Sequence, residues 1–174
     1  MSAIDAAPRD LATVRRILRE TAVDPALVQF ELTESLLMHD PEAAARTLRG
    51  LKESGVGTSV DDFGTGYSSL AYLKRFPLDA IKIDRSFVHD ITTDPDDAMI
   101  TLGIIALAHS LRLKVVAEGV ETNEQLELLA RYGCDAIQGF LFHKPTTAEE
   151  CAQLMREGRV LARPDLGRRT AGIE

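Results

Sequence analysis

The residues able to do chemistry recur at one place in a repeating pattern. Five short apolar runs each end in, or close to, a charged or amide side chain: Glu31; Asp61 and Asp62; Lys82 and Asp84; Glu118; Gln138. Any one of these alone reads as a solvated strand terminus. The same feature at the end of every run is harder to assign to surface, and in parallel α/β sheets and barrels that rim is where ligands bind. Carboxylates gathered on a small rim repel one another and titrate upward unless a hard divalent cation lies among them. Oxygen donors without His or Cys suit Mg2+ or Mn2+, not zinc or copper. At a strand end both members of the Asp61-Asp62 pair can turn toward the rim, and one carboxylate can bridge two cations. A two-cation site of this kind activates water and clamps both oxygens of an in-line phosphoryl displacement. Lys82 would add positive charge for a developing oxyanion. Residue types alone therefore imply metal-assisted phosphoester hydrolysis.

The elements that must carry these residues alternate along the chain. Leu11, Val14, Ile17 and Leu18 recur at helical spacing, so Leu11 to Arg19 is expected to be a helix that Asp24-Pro25 breaks. Ala26 to Glu31 is expected as a buried strand. Asp40-Pro41 supplies an N-cap and a first-turn proline for a helix over Ala43 to Lys52, which Gly55 stops. Val56 to Val60 is the next strand, followed by a turn at Gly64 and Gly66 and a short helix near Ser68 to Arg75. Ala80 to Asp84 is the third strand. Asp94-Pro95 caps a long helix expected to bury a stripe of Ile100, Ile104, Leu107 and Leu111. Lys114 to Glu118 is the fourth strand and Asp135 to Gly139 the fifth. Thr122 with Gln125 forms a capping box for a helix over Glu124 to Tyr132, and Thr147 with Glu150 forms another for the last helix. Strands alternating with helices call for parallel pairing through crossovers and an α/β fold.

Composition narrows the field further. The sequence has 174 residues, 45% hydrophobic and 27% charged, with 20 Lys+Arg against 27 Asp+Glu and a formal net charge of −7. That is one domain with enough chain for a core. No apolar run approaches the roughly 20 residues of a membrane span, and Met1 to Asp10 lack the apolar segment of a secretory signal. The acid excess and the lack of a basic stripe argue against duplex DNA as a partner. Cys134 and Cys151 form no metal-binding or redox motif, so we expect reduced, buried or idle thiols and a cytoplasmic location. His39, His89, His109 and His143 lack ligand spacing, and His109 is expected to pack or cap within its helix. Phe30, Phe63, Phe76, Phe87 and Phe140 are spread singly, as core residues are. The turn from Gly64 to Ser69 starts like a dinucleotide fingerprint but lacks its third glycine and distant acid, and no G-K-[ST] occurs. Gly, Thr and Ser there still allow close backbone approach and hinge motion.

Five segments together resemble a known family. E-L-T-E-S from Glu31, D-D-F-G-T-G-Y-S-S-L from Asp61, K-I-D-R-S-F from Lys82, A-E-G-V-E-T from Ala117 and Q-G-F from Gln138 are, in this order, similar to the motifs of EAL domains, the bacterial cyclic di-GMP phosphodiesterases of second-messenger signalling. The resemblance implies a TIM-type (β/α)8 barrel and a metal-dependent reaction that opens one phosphodiester of cyclic di-GMP to give linear pGpG. It also implies roles by position. Glu31 and Asp61 match ligands of a first Mg2+ or Mn2+, and Asp61, Asp62 and Glu118 match ligands of a second. Lys82 matches the lysine near the catalytic water and phosphate. Glu121 joins Lys82 and Glu118 in the catalytic set, Glu118 standing as either base or ligand. Glu34 matches the glutamate that anchors the D-D-F-G loop, and Gln138 and Asp84 belong to the substrate and loop set.

The match covers Leu11 to about Gly158. The E-A-L tripeptide that names the family, with the arginine shortly after it, is absent ahead of the first helix, as is a V-N-x-S segment whose asparagine is a further ligand of the first metal. The expectation is therefore a partial barrel of about the last five βα units: 1–10 a disordered N-terminus, 11–158 a truncated EAL domain and 159–174 a flexible tail. Three readings remain open: a phosphodiesterase whose two-metal site is completed by an upstream barrel half or a homodimer and is weak alone, a non-catalytic cyclic di-GMP binding or dimerisation module, and a partial gene product. Five strands leave unpaired edges at the first and last, which favours self-association.

Overall fold

A computed structural model describes residues 11–66 and 70–158, so the expected disordered N-terminus, the flexible tail and Tyr67 to Ser69 of the turn lie outside the described residues. Strands β1 (Gln29–Thr33), β2 (Gly57–Phe63), β3 (Ala80–Ile83), β4 (Lys114–Glu118) and β5 (Ala136–Gln138) form one sheet in that order, with every neighbouring pair parallel. Parallel neighbours in sequence order require a crossover between each pair. The chain supplies helices for them: α2 (Glu34–His39) and α3 (Pro41–Glu53) between β1 and β2, α4 (Leu70–Leu73) before β3, α5 (Arg85–His89) and α6 (Pro95–Ser110) before β4, and α7 (Asn123–Tyr132) before β5. Helices α1 (Leu11–Thr21) and α8 (Ala148–Arg156) flank the set. This is the expected α/β order of consecutive βα units.

Side-chain alternation divides the sheet into two unlike faces. Leu32, Val60, Ile81, Ile83, Val115 and Ala117 turn to the helices and meet Leu48, Ile105 and Leu129 in one continuous core. Burying each large aliphatic side chain contributes about 1.5–3 kcal/mol. The other face is small or polar, with Gln29, Gly57, Ala80, Lys114, Val116 and Ala136 lining a trough of about 770 Å3 at the strand N-termini. Polar side chains at the opposite ends of the same strands form the rim described below.

Several expected boundaries move, each for a local reason. The first strand starts later, because Asp24 caps a 3-10 turn over Pro25–Leu27, and it runs on to Thr33. Thr33 then caps α2 through its hydroxyl, which accepts the Leu36 N–H; this helix was not anticipated. Strand β2 starts one residue later than expected and runs through both aspartates to Phe63. On α6 the buried residues are Thr101, Ile104, Ile105 and Ala108, whereas Ile100 of the expected stripe is 42% exposed and Leu107 and Leu111 are only partly buried. The helix is apolar on several sides, so periodicity does not choose its inner face; Thr101, whose hydroxyl donates to the Phe87 carbonyl, marks the side that packs. Both capping boxes form as expected.

The strand N-termini carry a device that sequence patterning did not bring out. Asp79 Oδ2 accepts the Thr58 N–H at 2.8 Å, and its other oxygen pairs with Lys52. Asp135 Oδ2 accepts the Val115 N–H at 2.8 Å and contacts His109 Nε2 at 2.9 Å. Each aspartate immediately precedes a strand and reaches the second residue of the neighbouring one, so the two clamps fix β2 against β3 and β4 against β5. His109, expected to pack or cap, thus also contacts the Asp135 carboxylate. Cys134 is mostly buried, and burial pushes its thiol up to about 11.

Candidate metal centre and active site

Every rim side chain is set by the end of a strand or the first residues after it. Lys82, near the end of β3, is the hub: its Nζ lies 2.6 Å from Glu118, 2.8 Å from Glu31 and 3.0 Å from Asp61. The lysine side chain is only 6% exposed. Burial works against its charge, but the hydrogen bonds it donates to the three carboxylates outweigh burial and hold the ammonium well above its usual pKa.

The Asp61-Asp62 pair needs a break in strand geometry, since adjacent residues of a regular strand face opposite ways. The register of β2 against β3 steps from Val60↔Ile81 to Phe63↔Ile83, an irregularity of the β-bulge type. Asp62 within it has φ +52°, a left-handed conformation that aspartate tolerates better than most residues. The result is that carboxylate oxygens of Asp61, Asp62 and Glu118 all lie within 4.8 Å of one another. Glu31 joins this trio through Lys82.

Lys82 does not balance the acids around it. Asp62 is held above the ordinary aspartate range, first by burial and then by the negative charges of Asp61 and Asp84. Glu118 is also raised, by burial that the hydrogen bond and charge of Lys82 only partly offset. Oδ1 of Asp61 is buried, with the Lys82 ammonium 3.0 Å away. A set of convergent carboxylate oxygens with surplus negative charge fits a hard divalent cation, with Asp61, Asp62 and Glu118 as the residues that would hold it.

The remaining expected site residues surround this core in three ways. Asp84, Glu121 and Gln138 line, with Asp62, Glu118 and Phe140, an open cleft of about 510 Å3. Asp84 also caps α5 and accepts hydrogen bonds from Ser86, which outweigh burial and hold its carboxyl below the ordinary range. Glu34 lies behind the rim, almost wholly buried, where its Oε2 accepts the Gly64 N–H at 3.0 Å. A Cβ at Gly66 would stand 2.9 Å from its other oxygen, so any larger residue in the turn after β2 would have to displace this carboxylate.

Two features of the cleft were not legible in the motifs. Phe140, expected in the core, is 53% exposed on the cleft wall, with the Lys144 ammonium 5.7 Å from its ring centre. Close backbone packing also joins successive rim loops. A Cβ at Gly119 would meet Arg85 Cβ at 2.6 Å, and one at Gly139 would meet the Val120 carbonyl oxygen at 2.1 Å. Both glycines were visible in the sequence, but the contacts that require them are long-range.

Comparison with known proteins identifies the family and the fold. The EAL domain family model matches residues 6–145. The bifunctional diguanylate cyclase/cyclic di-GMP phosphodiesterase MucR of Pseudomonas aeruginosa is 49% identical over 138 residues, covering 79% of this chain and 20% of the relative. The solved MucR phosphodiesterase, a c-di-GMP complex, superposes with TM-score 0.82 at 47% identity, covering 87% of this chain and 62% of that one. A manganese/cy-diGMP complex of Klebsiella pneumoniae BlrP1 aligns with TM-score 0.72 at 34% identity, covering 79% of this chain and 35% of that one. The chain thus spans about a fifth of the length of the curated relatives it matches. Among the described residues no helix is long and apolar enough to cross a membrane. On the extent of the family match and on the likeness of fold, the chain belongs to the EAL domain family.

Proposed function

We propose that the rim is the larger part of a cyclic di-GMP phosphodiesterase site, which binds Mg2+ or Mn2+ and opens one phosphodiester to linear pGpG in the cytoplasm. The observation that carries this reading is the convergence of Asp61, Asp62 and Glu118 carboxylates within 4.8 Å beside a single buried lysine. Divalent cations bound there would supply Lewis acidity and charge neutralisation at the scissile phosphate. Glu31 and Asp61 would hold a first cation, and Asp61, Asp62 and Glu118 a second. Lys82 keeps the carboxylates in one orientation and presents positive charge where a phosphate oxygen gains negative charge. Glu34 fixes the turn that follows the aspartates. Asp84, Glu121 and Gln138 provide acceptors and an amide donor along the cleft for the rest of the dinucleotide.

Turnover by this chain alone is expected to be weak or absent. Glu31 and Asp61 give the first cation few protein oxygens, and its affinity depends on the number of ligands and on the groups that orient them. An upstream barrel half or a second copy of the chain would complete the site. The test is calorimetric titration with cyclic di-GMP, with and without Mn2+, alongside chromatography of the products. Mn2+-dependent binding is the expected result, with pGpG formed slowly or only when a complementing half is added. Binding without product under both conditions would favour a non-catalytic module, and no binding under any condition would refute the reading.

A further inference from the structure

Gln125 lies behind the rim on the first turn of α7, 4% exposed, and its side chain joins two segments that are distant in sequence. Its Oε1 accepts the backbone N–H groups of Glu121 at 2.7 Å and Thr122 at 3.0 Å. Its Nε2 donates to the backbone carbonyls of Val88 at 3.2 Å and His89 at 2.9 Å, at the end of α5. The orientation of the amide is unambiguous, since two donors face the oxygen and two acceptors face the nitrogen. A capping box needs only the contact to the Thr122 N–H. The bonds to Glu121 and to α5 go beyond helix capping.

The two joined segments carry opposite sides of the cleft. Helix α5 begins just after Lys82 and Asp84, and the β4–α7 loop begins at Glu118 and contains Glu121. The front of that loop already rests on the start of α5, where Gly119 (φ +72°) leaves no room for a Cβ beside Arg85. Gln125 pins the back of the same loop to the other end of α5, and the loop is held at both ends of one helix.

We propose that Gln125 is a positioning residue for Glu118 and Glu121: it locks the β4–α7 loop to α5 so that Glu118 stays within reach of Lys82, Asp61 and Asp62. The inference rests on the reading of the rim as a divalent-cation site. Its strength is comparable to other groups that orient metal ligands without touching the metal, whose removal costs about tenfold or more in affinity.

The test uses the full chain and four variants. Gln125→Met removes both halves of the clamp, Gln125→Glu keeps an acceptor but turns a carboxylate on two carbonyls, and Gln125→Asn is a milder truncation should the others fail to fold. Thr122→Ala deletes the hydroxyl that caps α7 by accepting the Gln125 N–H, while leaving the four side-chain bonds of Gln125 in place. Mn2+ affinity is read by electron paramagnetic resonance, thermal stability by circular dichroism, and amide exchange at 119–122 by NMR on the metal-free protein. The expected result is at least tenfold weaker Mn2+ binding and faster exchange at Glu121 and Thr122 in the Gln125 variants. Thr122→Ala should lose thermal stability yet bind Mn2+ within twofold of the unmodified chain. Equal loss of affinity in Thr122→Ala, or normal affinity in folded Gln125 variants, would overturn the positioning role. Unchanged exchange at Glu121 and Thr122 in Gln125→Met would overturn the clamp itself. An unmodified chain that takes up no Mn2+ would instead overturn the cation-site reading, and with it the role assigned to the clamp.

Discussion

The two ends of the sheet use the same residue types for opposite purposes. At the strand N-termini, Asp79 and Asp135 each bind one backbone N–H and one basic side chain, Lys52 or His109. Burial acts to raise both carboxyls, but these hydrogen bonds overcome it and leave them below the ordinary aspartate value of 3.8. At the C-terminal rim, Glu31, Asp61 and Glu118 share one lysine, Asp62 lies beside them, and burial and mutual repulsion leave Asp62 and Glu118 raised. One end is electrostatically satisfied and contributes to folding. The other holds surplus charge in a geometry that the folded frame must enforce, a pattern that marks functional sites in α/β folds.

The largest expected effect comes from removing the hub. Lys82→Met would leave the partly buried Asp61 and Glu118 and the more exposed Glu31 without their cation and is expected to cost about 3 kcal/mol in urea unfolding of the metal-free protein. Added Mn2+ should restore part of that loss; no restoration would show that the rim carboxylates do not share a cation. Asp79→Ala orphans the buried Thr58 N–H and is expected to cost about 2 kcal/mol, with no recovery by Mn2+. Recovery there would erase the distinction between the two ends.

Acid should act on the two ends with opposite sign. The folded pKa values of Asp79 and Asp135 are lowered, so their stabilising contribution is present above the ordinary aspartate value of 3.8 and is lost as pH falls through the folded values. Asp62 and Glu118 are raised, so the folded state gains relative stability as they take up protons at a higher pH than in the unfolded chain. Asp79→Asn combined with Asp135→Asn should therefore flatten the acid limb of a stability-versus-pH curve. Mn2+ affinity should begin to fall above the ordinary carboxylate range as the rim protonates. The smallest effect is expected for His109→Ala, about 0.5 kcal/mol, because its contact with Asp135 is partly exposed; a larger cost would mean that the imidazole also packs.

Legibility followed the range of the interactions. The alternation of elements, the Asp40, Asp94, Thr122 and Thr147 caps and the polar strand ends are local, and they could be read from residue order. The inner face of α6 could not, because a helix apolar on several sides carries no periodic signal and only its neighbours select Thr101 and Ile105 over Ile100. Motif order placed Asp61, Asp62, Lys82 and Glu118 on one rim, but the bulge and the positive φ of Asp62 that bring both aspartates to the same side are properties of the paired strands. Gln125 was visible as a capping residue, whereas its bonds to Val88 and His89 depend on a contact across more than thirty positions in sequence. The Asp79 and Asp135 clamps were missed for the same reason.

The central claim, that the rim acids are held together for a divalent cation, is tested most directly by the unfolding midpoint with Mn2+ and with EDTA, for the unmodified chain and for Asp61→Asn. A cation at a hundred times its dissociation constant stabilises a folded protein by about 2.7 kcal/mol. A rise of that order is expected for the unmodified chain and almost none for folded Asp61→Asn, each compared with its own metal-free midpoint. Equal Mn2+ responses in the two proteins, or no response in either, would contradict it.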